Sequence, residues 1–325
     1  VTATLAERLL TGDPRAIARA ISLVEDEDPS AADLVRAVFP HTGRAYLIGV
    51  TGPPGAGKST LVDRLVSAIR NPQSAIRSPQ STIPSTSVGV IAVDPTSPFS
   101  GGAVLGDRLR MQTHASDPGV FIRSMATRGH LGGLSRATGD AALLLDASGK
   151  DVVIIETVGV GQDEVDIIRT ADVSIVTLVP GTGDEVQALK AGIMEIADIF
   201  VVNKVDREGA DRLVSAVESN LALHNYADGE WRPPIVKTVA TTGQGIPELV
   251  EAIAQFRTHS LGTQASRRKT RSEYRLRELV SKRFMDHLEH HVLQAGELGT
   301  IVDRIAAREL DPYTAANELL GRALK

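Results

Sequence analysis

The chain has 325 residues, a net charge of −5, 23% charged and 42% hydrophobic residues, enough to bury a sizeable core and without the basic excess of a dedicated nucleic-acid binder. It has no cysteine, which excludes disulfides, thiolate metal sites and cysteine nucleophiles. No window reaches about 18 consecutive apolar residues, and the opening VTATLAERLLTGDPRAIARA carries charges where a secretory signal needs an apolar core, so a cytoplasmic protein with no membrane or nucleic-acid partner is expected.

Residues 1–44 read as an N-terminal helical extension: Asp13 caps, Pro14 takes the first helical position, and Ile17, Ile21 and Val24 share a face that needs a partner surface. From 45 to 258 the texture changes to short β-branched runs separated by helical stretches. They are YLIGVTG, VGVIAVDP, VFIRSMA, DVVIIETVGV, VSIVTLVP, IFVVNKVD and PIVKTVAT. Runs this apolar, without strict alternation, suit strands buried on both faces, which predicts an α/β fold with a doubly wound, mostly parallel sheet, a P-loop NTPase core. The polar stretch 71–87 reads as a surface insertion within it. Residues 259–325 form a C-terminal helical arm: Leu276, Val280, Phe284 and Leu288 recur four apart on a long amphipathic helix, and Asp311-Pro312 starts a last one.

GPPGAGKST satisfies GxxxxGK(S/T) between a buried strand and a helix. Backbone N–H groups of Gly52, Pro53, Pro54, Gly55, Ala56, Gly57 and Thr60, prolines excepted, are expected to wrap phosphates, Lys58 to reach the β and γ phosphates, and Ser59 to ligate Mg²⁺. The base is addressed by Asn203, Lys204 and Asp206 of NKVD. An aspartate accepts from both guanine N1–H and the 2-amino group, a pair adenine does not present, while the lysine stem packs along the ring. That favours GTP over ATP. In KTVATTGQG, Ala240 is the expected backbone contact to guanine, although the usual Ser-Ala pair reads Val239-Ala240.

Two segments can sense the γ-phosphate. Glu156 ends the run DVVIIE where most GTPases carry an aspartate; it can hold Mg²⁺ through a water, and Gly159 can offer its N–H to the phosphate. Asp94 stands at a strand end and Asp107 after a glycine-rich loop, and either can reach the metal shell or orient water. Each also suits a solvated loop carboxylate or a helix cap. Gln162 lies three residues beyond Gly159, not directly after it, so slow intrinsic hydrolysis that a partner accelerates is expected. His287, His290 and His291 read as a solvated helix face, and so does the basic SRRKTR.

Together VTGPPGAGKST, VDPTSPFSGGAVLGDRLRM, ETVGVGQDE, PGTGDEVQALKAGIMEIAD and NKVD resemble the MeaB/ArgK/MMAA group of P-loop GTPases associated with methylmalonyl-CoA mutase, over nearly the whole chain. The resemblance implies that Asp94, Asp107 and Glu156 surround Mg²⁺ and the γ-phosphate as catalytic and metal residues together with Lys58 and Ser59. It implies that PGTGDEVQALK is a further switch and that the C-terminal helices make a homodimer. It also implies a chaperone role in which bound GTP or GDP gates cofactor delivery to a cobalamin-dependent mutase and protects or reactivates it. An ATP-using kinase linked to amino-acid transport and a metal-insertion GTPase are the competing readings.

Overall fold

A computed structural model of the chain describes residues 3–71, 86–94, 112–114, 116–126, 133–157, 159, 170–181 and 193–323. Two compact units divide it, Val1–Gln264 and Ala265–Lys325. In the first, seven strands form one sheet: β1 (Tyr46–Thr51), β2 (Val88–Asp94), β3 (Val120–Ala126), β4 (Val152–Glu156), β5 (Val173–Leu178), β6 (Ile199–Asn203) and β7 (Ile235–Thr238). Their order is β3-β2-β4-β1-β5-β6-β7 and every neighbouring pair is parallel, so each apolar run supplies one strand of a sheet that is parallel throughout its described residues.

β4 and β5 are buried at every position, as strands covered on both faces must be. Helices α1 (Leu5–Leu10), α2 (Pro14–Glu25), α3 (Ala31–Val38), α4 (Lys58–Arg70), α5 (Gly133–Ala147), α6 (Ile193–Ile196), α7 (Ala210–Leu221) and α8 (Ile246–Ser260) supply the cover. On one face Ile48, Val50, Ile154 and Ile175 meet Leu61 and Leu65 of α4 and Leu249 and Phe256 of α8. On the other, Ile91, Val153 and Ile155 meet Ile17, Ile21 and Val24 of α2 together with Leu9, Leu34 and Leu145. That cluster is the surface the apolar face of α2 requires, and it joins the N-terminal helices to the same core. Asp13 caps α2 as its position suggests, accepting from the amides of Arg15 at 2.9 Å and Ala16 at 3.4 Å.

At the amino-terminal margin of the sheet, aspartates take up N–H groups that the ladders do not reach. Asp172 accepts from Leu47 N at 2.9 Å, Asp198 from Ser174 N at 2.8 Å and Asp151 from Ser87 N at 2.7 Å. Asp146, buried at the end of α5, accepts from Ala45 N at 2.9 Å, Arg44 N at 3.2 Å and Gly43 N. It fixes the turn that leads from the N-terminal helices into β1. Asp146→Ala leaves three amides without that acceptor and is expected to lower the unfolding free energy by about 2–4 kcal/mol. A urea titration checks this; a change below about 0.5 kcal/mol, the ordinary range for a surface substitution, would show that water replaces the carboxylate without cost.

The second unit contains α9 (Gln264–His287), a π turn at Leu288–Val292, α10 (Glu297–Ala306) and α11 (Pro312–Ala323). Leu288 and Ala315 are buried. Arg322 pairs with the Glu297 carboxylate and also donates to Val292 O at 2.7 Å; the guanidinium, with Gln294 N–H behind it, holds the Glu297 carboxyl down to about 2. Of the apolar stripe, Leu288 is buried and Phe284 half-buried, whereas Leu276 (61% exposed) and Val280 (58%) stay in solvent. No described helix is long and apolar enough to cross a membrane.

Candidate nucleotide site

The loop after β1 sits at the centre of the sheet, at the carboxyl ends of the strands. Strand order reverses about β1, with β2 to β4 on one side and β5 to β7 on the other, and such switch points are where open α/β sheets bind ligands. Two glycines are required by the geometry. Gly52 has φ 144°, and a Cβ there would stand 2.0 Å from Thr177 O; Gly57, with φ 86° before α4, would press one against Asn203 Nδ2 at 2.6 Å. A side chain at either place would push the loop off the strands beneath it.

Lys58, buried at the start of α4, donates from Nζ to Gly52 O at 2.7 Å and Pro53 O at 3.1 Å, so its ammonium lies within the curve of the loop. Ala56 is buried under the same curve, Pro54 and Gly55 are exposed, and Thr60 is half-buried in the first turn of α4. The next residue, Ser59, donates from Oγ to Glu156 Oε1 at 2.7 Å in a buried contact. Register explains this meeting: Glu156 ends β4 directly beside Val50 of β1. A hydroxyl and a carboxylate with no soft donor make the oxygen set that a hard divalent cation takes, so these two residues fit Mg²⁺.

Past Glu156 the chain is tied to β1 by two hydroxyls. Thr51 Oγ1 donates to Gly159 O at 2.5 Å, while Thr157 Oγ1 donates to Thr51 Oγ1 at 2.9 Å and lies 3.3 Å from Gly159 O. The glycine expected to sense the γ-phosphate is therefore anchored to the residue that opens the phosphate loop. Asp94 ends β2, where its backbone pairs with Ala126; its side chain, Asp107, Gln162 and most of PGTGDEVQALK lie outside the described residues.

On the base side, Asn203 is a buried brace. Its Nδ2 donates to Ala56 O at 2.8 Å, and its Oδ1 accepts from Thr238 Oγ1 at 3.0 Å and from Ala240 N at 3.1 Å, which joins the phosphate loop, β6 and the loop after β7. Lys204, in the left-handed region at φ 59°, donates to Gly55 O at 2.7 Å. Burial, helped by Arg207 and opposed by Asp206, holds its ammonium below the ordinary lysine range. Asp206 is exposed at the strand end, where a base can reach it. Thus Lys58, Ser59, Glu156 and Gly159 gather on one side of the loop, and Asn203, Lys204 and Ala240 on the other. The motifs do not mark Thr51, Thr157 or Thr238, which act through contacts remote in sequence.

In the second unit His287, His290 and His291 are exposed, with ring centroids 5.2 Å apart for His287 and His291 and 6.5 Å for His290 and His291. Among the described residues no group of three or more histidines or carboxylates is arranged to hold a metal ion.

A family model described as methylmalonyl Co-A mutase-associated GTPase MeaB matches residues 17–292. A provisionally named GTPase of Pyrococcus abyssi is 50% identical, the match covering 97% of this chain and 95% of that one. GTPase ArgK of Escherichia coli is 38% identical over 88% of this chain and 86% of its own. Among solved structures, one titled LAO/AO transport system kinase superposes with a TM-score of 0.69 at 28% identity, covering 99% of this chain and 97% of that one.

Proposed function

The chain belongs to the family of methylmalonyl Co-A mutase-associated GTPases MeaB and hydrolyses GTP to GDP and phosphate, and from that premise we propose that it is a chaperone for a cobalamin-dependent methylmalonyl-CoA mutase, gating cofactor loading and protecting or reactivating the enzyme. One observation carries the switching half of this reading: Glu156, which ends β4, and Gly159, three residues on, are bonded to Ser59 and Thr51, the residues at the two chain ends of the phosphate loop. Loss of the γ-phosphate would disturb Glu156 and Gly159, and through them the chain that follows β4.

In this reading Lys58 neutralises the β and γ phosphates, Asn203, Lys204 and Asp206 with the loop around Ala240 hold guanine, and Gly159 reports the γ-phosphate. Ser59 and Glu156, with Asp94 and Asp107, would hold Mg²⁺, which would supply neutralising charge to the β and γ phosphates. Leu276 and Val280, exposed on α9, are the start of a homodimer arm.

The test is capture of purified methylmalonyl-CoA mutase by this protein loaded with GDP or with a non-hydrolysable GTP analogue. Binding in one state more than the other is expected, with GTP turnover rising when the mutase is added. Absence of binding in both states sinks the chaperone reading and leaves the GTPase standing. Turnover of several per second without a partner, already at the level of GTPases activated in trans, would remove the partner-dependent switch. Competition between ATP and GTP separates this reading from the transport-linked kinase, since preference for ATP would contradict Asp206 as a guanine selector.

A further inference from the structure

The loop Val239–Gly245, between β7 and α8, is gripped by an arginine that no motif marks. Arg64 lies on α4, the helix that begins with Lys58 and Ser59, and reaches across to the loop. Its Nε donates to Ala240 O at 3.2 Å and a terminal nitrogen donates to Thr241 O at 2.8 Å. On its other side Ala240 donates its N–H to Asn203 Oδ1 at 3.1 Å. Four other amides of the turn are also engaged: Val239 N donates to Gln244 O at 3.0 Å, Thr242 N and Gly243 N to Val239 O at 3.1 and 3.0 Å, and Gln244 N to Thr242 Oγ1 at 3.4 Å. Among the described residues nothing takes up the N–H of Thr241, an exposed residue.

The carbonyl of Ala240 and the N–H of Thr241 belong to one peptide plane. In a trans peptide they point in opposite directions, and the chain has no cis bond among its described residues. Fixing the carbonyl on Arg64 therefore fixes the aim of the Thr241 N–H, away from α4. Asp206 can read only N1–H and the 2-amino group of guanine; the O6 carbonyl needs a donor, and Ala240 has committed its own to Asn203.

We propose that Arg64 is a positioning residue for guanine discrimination: it orients the Ala240–Thr241 peptide so that the Thr241 N–H donates to O6. This rests on the reading that NKVD and the 239–245 loop face the base. Arg64 is exposed and outside the core, so its replacement is expected to leave the fold intact.

The experiment measures affinities of the full chain and its Arg64→Ala and Arg64→Lys variants for GTP, 6-thio-GTP and ITP. Sulfur at position 6 weakens only the O6 contact, whereas ITP lacks only the 2-amino group that Asp206 reads. The unsubstituted protein is expected to prefer GTP over 6-thio-GTP by about tenfold, and Arg64→Ala to reduce that ratio to about twofold or less while keeping the GTP to ITP ratio. Arg64→Lys falls between, because an ammonium lacks the fork that holds two carbonyls. If Arg64→Ala keeps the 6-thio ratio, even with both affinities weakened, Arg64 is structural and the proposal is overturned. If Arg64→Ala melts early, the Arg64→Lys ratio decides in the same way. If the unsubstituted protein itself shows no preference between GTP and 6-thio-GTP, the loop does not read O6 and the underlying placement of the base fails too.

Discussion

Lys58→Ala is expected to lower the rate of GTP hydrolysis by about 10²–10³-fold, the usual cost of removing one preorganised electrostatic donor from a phosphoryl or acyl transfer site. The buried ammonium is held by Gly52 O and Pro53 O inside the loop, so it is aimed before any phosphate arrives and needs little reorganisation during the reaction. Its removal takes away a positive charge where negative charge develops on the γ-phosphoryl oxygens and frees two carbonyls that then point at the substrate. Single-turnover hydrolysis at saturating GTP isolates this from weaker binding. A rate unchanged with and without the mutase would assign the loop to a non-catalytic scaffold.

The second large effect concerns the base. Asp206→Asn is expected to weaken GTP binding by about 10³–10⁴-fold and to strengthen binding of XTP, because an amide offers one acceptor and one donor where guanine presents two donors, while xanthine presents N1–H and a C2 carbonyl. Asp206 is exposed, and its loss leaves the brace around Asn203 in place. Asn203→Ala would be a poorer probe: it removes the bonds to Ala56 O, Thr238 Oγ1 and Ala240 N at once, so folding and binding fall together. Equal GTP affinity in Asp206→Asn, measured by nucleotide displacement, would separate NKVD from guanine recognition.

Much of this architecture is legible locally. The seven apolar runs become the seven strands because β-branched residues buried on both sides suit no other element at that length, and the expected mostly parallel sheet is parallel throughout its described strands. Asp13-Pro14 and Asp311-Pro312 start helices for the same local reason: a carboxylate accepts the first free amides and proline tolerates the first turn. The C-terminal stripe was legible as a helix face but not in its burial, because solvent meets Leu276 and Val280 while Leu288 is enclosed, and a four-residue period cannot distinguish those ends.

The sequence by itself determined the family and marked the candidate phosphate loop and guanine signature, because their proposed working groups lie within a few residues and their glycines, lysine and aspartate suit that chemistry. Only the tertiary structure decided what those motifs touch. Ser59 meets Glu156 across 97 positions of chain since β4 inserts beside β1, and Asn203 reaches Ala56 across 147. Arg64 grips Ala240 across 176. Strand order sets such meetings, and strand order follows from how the whole set of apolar faces is buried at once, which no local pattern contains.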